Sequence, residues 1–211
     1  DTVCNDVTIH RPTRVVLDCG NGAAGELAPK LFQNLGCDVI PLFCEIDGTF
    51  PNHHPDPNQE QNLANIKQQV IDKNADIGIA FDGDGDRLGV VTSDGNTIWP
   101  DRLLILYARK MLDKHPGTNI VCDVKTTNLL QQEVERLGGN LVMGRSGHSM
   151  LKKPMHQSKA LLGCEYSDHI VCRDRCSGVD DVIYADARLL DILRSHPLTY
   201  SEQLNSLSDI Y

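Results

Sequence analysis

Short apolar runs recur along the chain, each closed by turn-forming residues. Between them lie longer stretches whose apolar positions repeat with helical spacing. Arg14-Val15-Val16-Leu17-Asp18 is the first strand of this kind, and Gly20-Asn21-Gly22-Ala23-Ala24-Gly25 then opens a helix to about Leu35. Val39–Cys44 reads as a second strand, and its Pro41 predicts an edge or irregular position, because proline cannot donate to a ladder. A polar loop rich in Pro, Asn and His, Glu45 to Asn58, leads into a helix near Gln59–Lys73. Ile77–Phe81 is a third strand, followed by Leu88–Thr92 and a hairpin turn at Ser93–Asn96 that returns through Thr97–Trp99. Strand, helix, strand, helix, strand is the grammar of a parallel sheet with helices on its faces.

Pro100-Asp101 interrupts the pattern and the alternation starts again. Helices are expected at Arg102–Leu112, Leu129–Leu137, Ser149–His156 and Val182–Arg194. Strands are expected at Ile120–Asp123, Leu141–Met143, Ala160–Glu165 and His169–Cys172, and Ser201–Tyr211 reads as a short helix or a frayed end. The fold class is therefore α/β, with two similar domains at residues 1–97 and 98–211, each a mixed, mostly parallel sheet flanked by helices.

The chemistry concentrates where the third strand ends. Asp82-Gly83-Asp84-Gly85-Asp86-Arg87 places three carboxylates at alternate positions, separated by glycines. Holding them close costs energy unless a cation lies between them, and hard oxygen ligands suit Mg²⁺ or Ca²⁺. The glycines let a tight loop turn each carboxylate towards one point, and Arg87 adds a fork suited to carboxylate or phosphate. An EF-hand loop also opens with three alternating aspartates, but it needs Gly at its sixth position and Glu at its twelfth, where this chain has Arg87 and Ser93.

Other motifs admit two readings each. Gly20, Gly22 and Gly25 form G-x-G-x-x-G between strand and helix, which fits either a dinucleotide fingerprint, with Asp38 or Glu45 as the ribose acid, or a tight turn with close packing. Asp18 weighs against the first, since its charge ends the strand where a pyrophosphate would lie. His53-His54-Pro55-Asp56 has metal-compatible side chains, but adjacent residues rarely point at one ion, and a rigid loop is the alternative. Lys125 follows a strand end, as either a phosphate contact or a surface lysine. Ser146-Gly147-His148-Ser149 starts a helix whose N–H groups suit an anion, and Glu165, Ser167 and His169 at alternate positions suit a polyol; both also read as polar loop.

Composition narrows the class. A formal net charge of −9 argues against a nucleic-acid partner, whose electrostatic footprint is basic. No apolar run reaches membrane-span length and no signal-peptide pattern opens the chain. The eight cysteines include no C-x-x-C pair, so buried reduced thiols and a cytoplasmic location are expected.

Taken together, Val16–Gly25, Phe50–Pro57 (FPNHHPDP), Phe81–Gly89 (FDGDGDRLG), Pro100–Leu103, Asp123–Thr126 and Gly147–Lys153 (GHSMLKK) follow one another as in a known family. The chain resembles the α-D-phosphohexomutases, most closely the bacterial phosphomannomutase/phosphoglucomutase group, through nearly all its length to about Leu193. The resemblance implies the middle two of four domains, residues 1–97 as domain II with the metal-binding loop and 98–211 as domain III with the sugar-binding loop. It implies Mg²⁺-dependent movement of phosphoryl between C1 and C6 of a hexose phosphate through a bisphosphate intermediate. Carried over by motif, Asp82, Asp84 and Asp86 hold Mg²⁺, and Arg87 and Lys125 stabilise charge. His148 serves proton transfer, and Glu165, Ser167 and His169 meet the sugar hydroxyls.

The chain departs from the family's G-E-x-S-G-H at Cys164 and Asp168, where glycine is usual, and the family's K-E-R-W-F-G-F-D-D-G appears as Arg173–Val182. The family's phosphoserine motif T-A-S-H-N-P does not occur in these residues, and the resemblance leads us to expect that the family's C-terminal phosphate-binding domain is not among them either. The partners implied are a hexose phosphate and the N- and C-terminal domains of a parent enzyme, and the fragment is expected to be inactive alone. The reading set beside this one is a dinucleotide- or sugar-phosphate-binding module without transferase chemistry.

Overall fold

The computed structural model describes residues 12–145, 148–165, 170–174, 182–194 and 198–208. They form two compact units, one from Asp1–Trp99 with Val182–Ser206, the other from Pro100–Asp181 with Leu207–Tyr211. A single cut along the chain does not capture this grouping, because the segment from Val182 to Ser206 joins the first unit.

In the first unit, strands β1 (Arg14–Asp18), β2 (Asp38–Leu42), β3 (Ile77–Phe81), β4 (Leu88–Thr92) and β5 (Thr97–Ile98) form one sheet in the order β2-β1-β3-β4-β5. β1 runs parallel to both β2 and β3, whereas β3–β4 and β4–β5 are antiparallel. Val15, Val16 and Leu17 of β1 are fully buried, as a strand covered on both faces must be. β2 lies at the sheet edge, so Pro41, paired in register with Leu17, costs no second ladder bond. β2 stops at Leu42 rather than at Cys44, because Phe43 turns into the left-handed region at φ +49°.

Helix α1 (Ala24–Asn34) crosses from β1 to β2, and a 3₁₀ turn (Glu60–Leu63) running into α2 (Ala64–Asp72) crosses to β3. Leu63, Ile66 and Val70 pack with Val16, Ala80 and Val91 in one core cluster.

The second unit repeats the wiring. Helix α3 (Pro100–Lys114) precedes β6 (Asn119–Asp123), α4 (Asn128–Arg136), β7 (Asn140–Gly144), α5 (His148–Ser158), β8 (Leu162–Cys164) and β9 (Ile170–Cys172). Its sheet order is β7-β6-β8-β9, with β6 parallel to β7 and β8, and β9 antiparallel. α3 begins at Pro100 itself, the first helical position being where a missing N–H matters least. α4 is capped by the Thr127 hydroxyl, which accepts from the Leu129 N–H at 3.3 Å. β8 starts later than the apolar run, because the Ala160 N–H returns to the Met155 carbonyl and finishes α5. Both units are thus α/β with mixed sheets flanked by helices, as the sequence pattern predicts; pairings are mostly parallel in the second, whereas the first has two parallel and two antiparallel.

Helices α6 (Val182–Arg194) and α7 (Tyr200–Ser208) close the chain. Within the first unit, Tyr200 OH meets Thr13 Oγ1 at 2.9 Å, Ser201 Oγ accepts the Ser93 N–H at 2.9 Å, and Asn205 donates to Asp94 at 3.1 Å. The last two bonds fasten the β4–β5 turn. No helix among the described residues is long and apolar enough to cross a membrane.

Candidate metal centre and its neighbours

The aspartate loop is the connection between two antiparallel neighbours, β3 and β4. Phe81 pairs with Leu88, and one further bond, Asp82 N–H to the Arg87 carbonyl at 3.3 Å, closes the loop behind them. Six residues then turn outside the sheet, with Gly85 at φ +76° and its N–H bonded to the Asp82 carbonyl at 3.2 Å.

Asp82 is the internal template of this loop. Its side chain is buried, with Oδ1 accepting the N–H groups of Asp86 (2.9 Å) and Arg87 (3.1 Å) and Oδ2 accepting Arg87 Nε (2.8 Å). Burial by itself raises the Asp82 carboxyl, but the two backbone N–H groups and the Arg87 charge outweigh it and hold the group below the usual carboxylate range. Asp84 is exposed and the Asp86 side chain is half exposed. One ligand oxygen from each of Asp82, Asp84 and Asp86 lies within 4.8 Å of the others. Among the described residues this is the one cluster of three or more potential metal ligands, and its all-oxygen donor set fits a hard divalent cation.

Arg87 is held on two sides. Besides Asp82, its guanidinium donates to Asp56 Oδ1 at 3.1 Å. Asp56 belongs to the loop after β2, and that loop is pinned residue by residue. Asn52 donates to Asn21 Oδ1 at 2.7 Å, and Asn21 in turn donates to the Glu45 carbonyl at 2.7 Å. His53 Nε2 meets both oxygens of the buried Asp18, at 3.2 and 3.1 Å, while Nδ1 lies 3.0 Å from the His54 carbonyl. With an acceptor at each ring nitrogen, His53 favours its charged form, and the Asp18 hydrogen bond raises it above its ordinary 6.5. The His-His-Pro-Asp stretch is therefore a rigid clamp, with His53 on Asp18 and Asp56 on Arg87.

The glycine motif is consumed by packing. A Cβ on Gly22 would stand 2.7 Å from the Gly83 carbonyl oxygen, and one on Gly25 would collide with the Cys44 carbonyl. Gly20 lies beneath Pro55 and donates its N–H to Asp18 at 2.9 Å. The Ala23 N–H, which a pyrophosphate would want, bonds the Gly83 carbonyl at 2.9 Å. The helix start faces the aspartate loop, and no dinucleotide reading is favoured.

In this unit β2, β1 and β3 are adjacent and parallel, so their carboxyl ends deliver the clamp loop, the glycine turn and the aspartate loop to one edge, where ligands bind in open α/β sheets.

The second unit arranges its predicted residues the same way. Lys125 is exposed two residues past the end of β6, in a turn closed by Thr126, whose hydroxyl donates to Asp123 at 2.8 Å. Glu165 is buried directly after β8, and His148 is the first residue of α5, four residues past β7. Lys125, His148 and Glu165 thus come off the carboxyl ends of three adjacent parallel strands. Ser167 and His169 lie outside the described residues, as do Tyr166, Asp168, Ser146 and Gly147.

Sequence reasoning did not identify Asp56 as the Arg87 partner, nor the Asp18–His53 pair. The partners are 31 and 35 residues apart, and no local spacing signals them.

Residues 3–95 match the family model for phosphoglucomutase/phosphomannomutase, alpha/beta/alpha domain II, and residues 99–211 match that for domain III. The chain is 52% identical over 191 residues to a phosphomannomutase/phosphoglucomutase of Pseudomonas putida, covering 90% of the chain and 41% of that protein. It is 46% identical over 205 residues to a phosphoglucomutase of Neisseria meningitidis, covering 97% of the chain and 44% of that protein. The chain therefore spans about two fifths of the length of these relatives. The crystal structure of a phosphoglucomutase/phosphomannomutase family protein from Burkholderia thailandensis superposes with a TM-score of 0.94 at 46% identity, over 98% of this chain and 45% of that one.

Proposed function

The chain belongs to the phosphoglucomutase/phosphomannomutase family, of which it carries domains II and III, and from this premise we propose that it supplies the metal-binding and sugar-facing parts of a phosphohexomutase. The parent enzyme moves phosphoryl between C1 and C6 of a hexose phosphate through a bisphosphate intermediate. The observation that carries the reading is the loop after β3, which brings three carboxylate oxygens within 4.8 Å of one another beside a fixed guanidinium.

In this reading Asp82, Asp84 and Asp86 hold Mg²⁺, joined by a phosphoserine from the N-terminal domain of the parent. The bound cation supplies charge neutralisation at the transferring group, the main demand of phosphoryl transfer. Arg87 keeps a positive charge against the loop, and its bonds to Asp82 and Asp56 hold that charge in place before substrate arrives. Lys125 offers a second, mobile cation, His148 moves a proton at the reacting hydroxyl, and Glu165, Ser167 and His169 bond the sugar. The N- and C-terminal domains of the parent are partners in this scheme, and its setting is the cytoplasm.

Calorimetric titration with Mg²⁺ tests the metal assignment. These 211 residues bind it weakly, because Mg²⁺ usually shares its shell with a phosphate, and Asp84→Asn removes the signal. Indistinguishable titrations of the two proteins overturn the assignment.

A further inference from the structure

Two cysteines that the proposed chemistry does not use lie sulfur against sulfur in the first unit. Cys19 follows β1 directly and Cys44 lies two residues beyond β2, the edge strand paired with it. Their Sγ atoms are hydrogen-bonded at 3.3 Å. The Cys19 N–H bonds the Leu42 carbonyl at 3.0 Å, and the left-handed turn at Phe43 swings Cys44 back over the sheet end. Gly25 abuts the Cys44 carbonyl, so the backbone on that side is wedged against α1.

We propose that Cys19 and Cys44 are a modification site, a thiol pair that hydrogen peroxide converts to a disulfide reversibly. A disulfide has a sulfur–sulfur length of about 2.05 Å, so the two atoms approach by about 1.2 Å from the 3.3 Å seen here.

The pair is chemically unequal. Cys19 is fully buried, and its hydrogen bond with Cys44, with burial added, raises it far above an ordinary thiol. Cys44 is partly exposed, and the same hydrogen bond lowers it, so Cys44 is the thiol that reaches solvent and ionises. Its thiolate attacks a peroxide oxygen and breaks the O–O bond, leaving a sulfenic acid on Cys44 and releasing hydroxide, which takes up a proton as water. The Cys19 sulfur then gives up its proton and attacks the Cys44 sulfur, expelling a second water as the S–S bond forms. Two thiols lose two electrons and two protons, and one peroxide becomes two waters. A dithiol reductant reverses the bond by exchange.

The other described cysteines serve as internal controls. Cys122 and Cys164 are register partners on β6 and β8, yet the Cys164 thiol donates to the Val121 carbonyl at 3.4 Å, and both are buried. Cys37 and Cys172 are buried as well. Proximity together with access singles out Cys19 and Cys44.

The test is peroxide treatment of the 211-residue chain, alkylation of remaining thiols with N-ethylmaleimide, and peptide mass mapping. The expected result is a Cys19–Cys44 linked peptide pair about 2 Da lighter than the reduced pair, restored by dithiothreitol. In Cys19→Ser, with no resolving thiol, dimedone traps the sulfenic acid on Cys44. In Cys44→Ser, Cys19 stays a free thiol after peroxide. Full alkylation of both cysteines in treated wild-type protein overturns the proposal. So does a linkage joining either one to Cys4, Cys37, Cys122, Cys164, Cys172 or Cys176. The wild-type map decides even if a serine variant fails to fold.

Discussion

Replacing Gly22 with alanine tests whether the glycine turn exists to seat the aspartate loop. The added Cβ would stand 2.7 Å from the Gly83 carbonyl oxygen and 3.0 Å from both the Asp82 carbonyl oxygen and Gly83 Cα. All three obstacles are backbone atoms, so no rotamer change relieves them, and either the turn after β1 or the metal loop has to move. Gly22 has no positive φ, so the cost is steric rather than conformational. Overpacking of this kind costs about 1–3 kcal/mol. In a chain of this size that corresponds to a fall in Tm of roughly 2–12 °C. Gly48→Ala is the matched control, because nothing lies within 4 Å of its added Cβ and it too lacks a positive φ. That change is expected to be neutral or to stabilise by up to about 1 kcal/mol. Differential scanning calorimetry gives the stabilities, and Mg²⁺ titration shows whether the loop has shifted, with Gly22→Ala binding more weakly. A Gly22→Ala protein that melts with the wild type and binds Mg²⁺ equally refutes the reasoning.

The Asp18–His53 pair gives a pH-dependent prediction. The folded-state pKa of His53 lies above its ordinary 6.5, so the stability it contributes is fully present below about pH 6.5 and is lost as pH rises through the folded value. Urea unfolding of wild type and His53→Gln from pH 5.5 to 9 should show a gap of about 1.5–3 kcal/mol at the acid end that narrows towards the alkaline end; a gap independent of pH counts against the ion pair. The second prediction is that these 211 residues, expressed on their own, convert no glucose 1-phosphate to glucose 6-phosphate in the presence of the 1,6-bisphosphate. In the proposed scheme, positioning of the reacting groups needs a phosphoserine and a distal phosphate grip from the parent's other domains, and turnover above a buffer blank that Asp82→Asn abolishes would sink that idea.

Much of this architecture was legible because its causes are local. The run Ile77–Phe81 followed by alternating aspartates announces both a strand and a cluster, since a six-residue hairpin loop cannot carry its three carboxylates far apart. Pro41 announces an edge strand, and β2 is one. What escaped the sequence depends on distant partners. The Ser93–Ser201 bond spans 108 residues, and through it and its neighbours α7 fastens a turn of the first unit that no periodicity connects to it. Boundaries shifted where a single backbone conformation intervenes, at Phe43 for β2 and at Lys159, with φ +55°, ahead of β8.

The same distinction explains why the carboxylate cluster can exist without collapsing the loop that carries it. Three like charges at this spacing repel, and a loop of glycines offers little stiffness to oppose them. The structure meets this by giving Asp82 a separate task. Its oxygens are taken up by two N–H groups and the Arg87 guanidinium, so its charge is balanced inside the protein and folds the loop rather than opening it. Asp56 then holds Arg87 from the other side, so the guanidinium stays on Asp82 at 2.8 Å while its Nε lies 3.8 Å from Asp86 Oδ1. Asp84 is exposed and the Asp86 side chain half exposed, on a loop whose Gly83 and Gly85 are pressed against the β1–α1 turn. A cation arriving from solvent therefore meets the exposed Asp84, an Asp86 whose Oδ1 lies 3.8 Å from Arg87 Nε, and a third carboxylate whose oxygens are fixed in place. The clamp of Asp18, His53 and Asp56 is what keeps that third one fixed, and it links the stability of the first unit to the geometry of the proposed metal site.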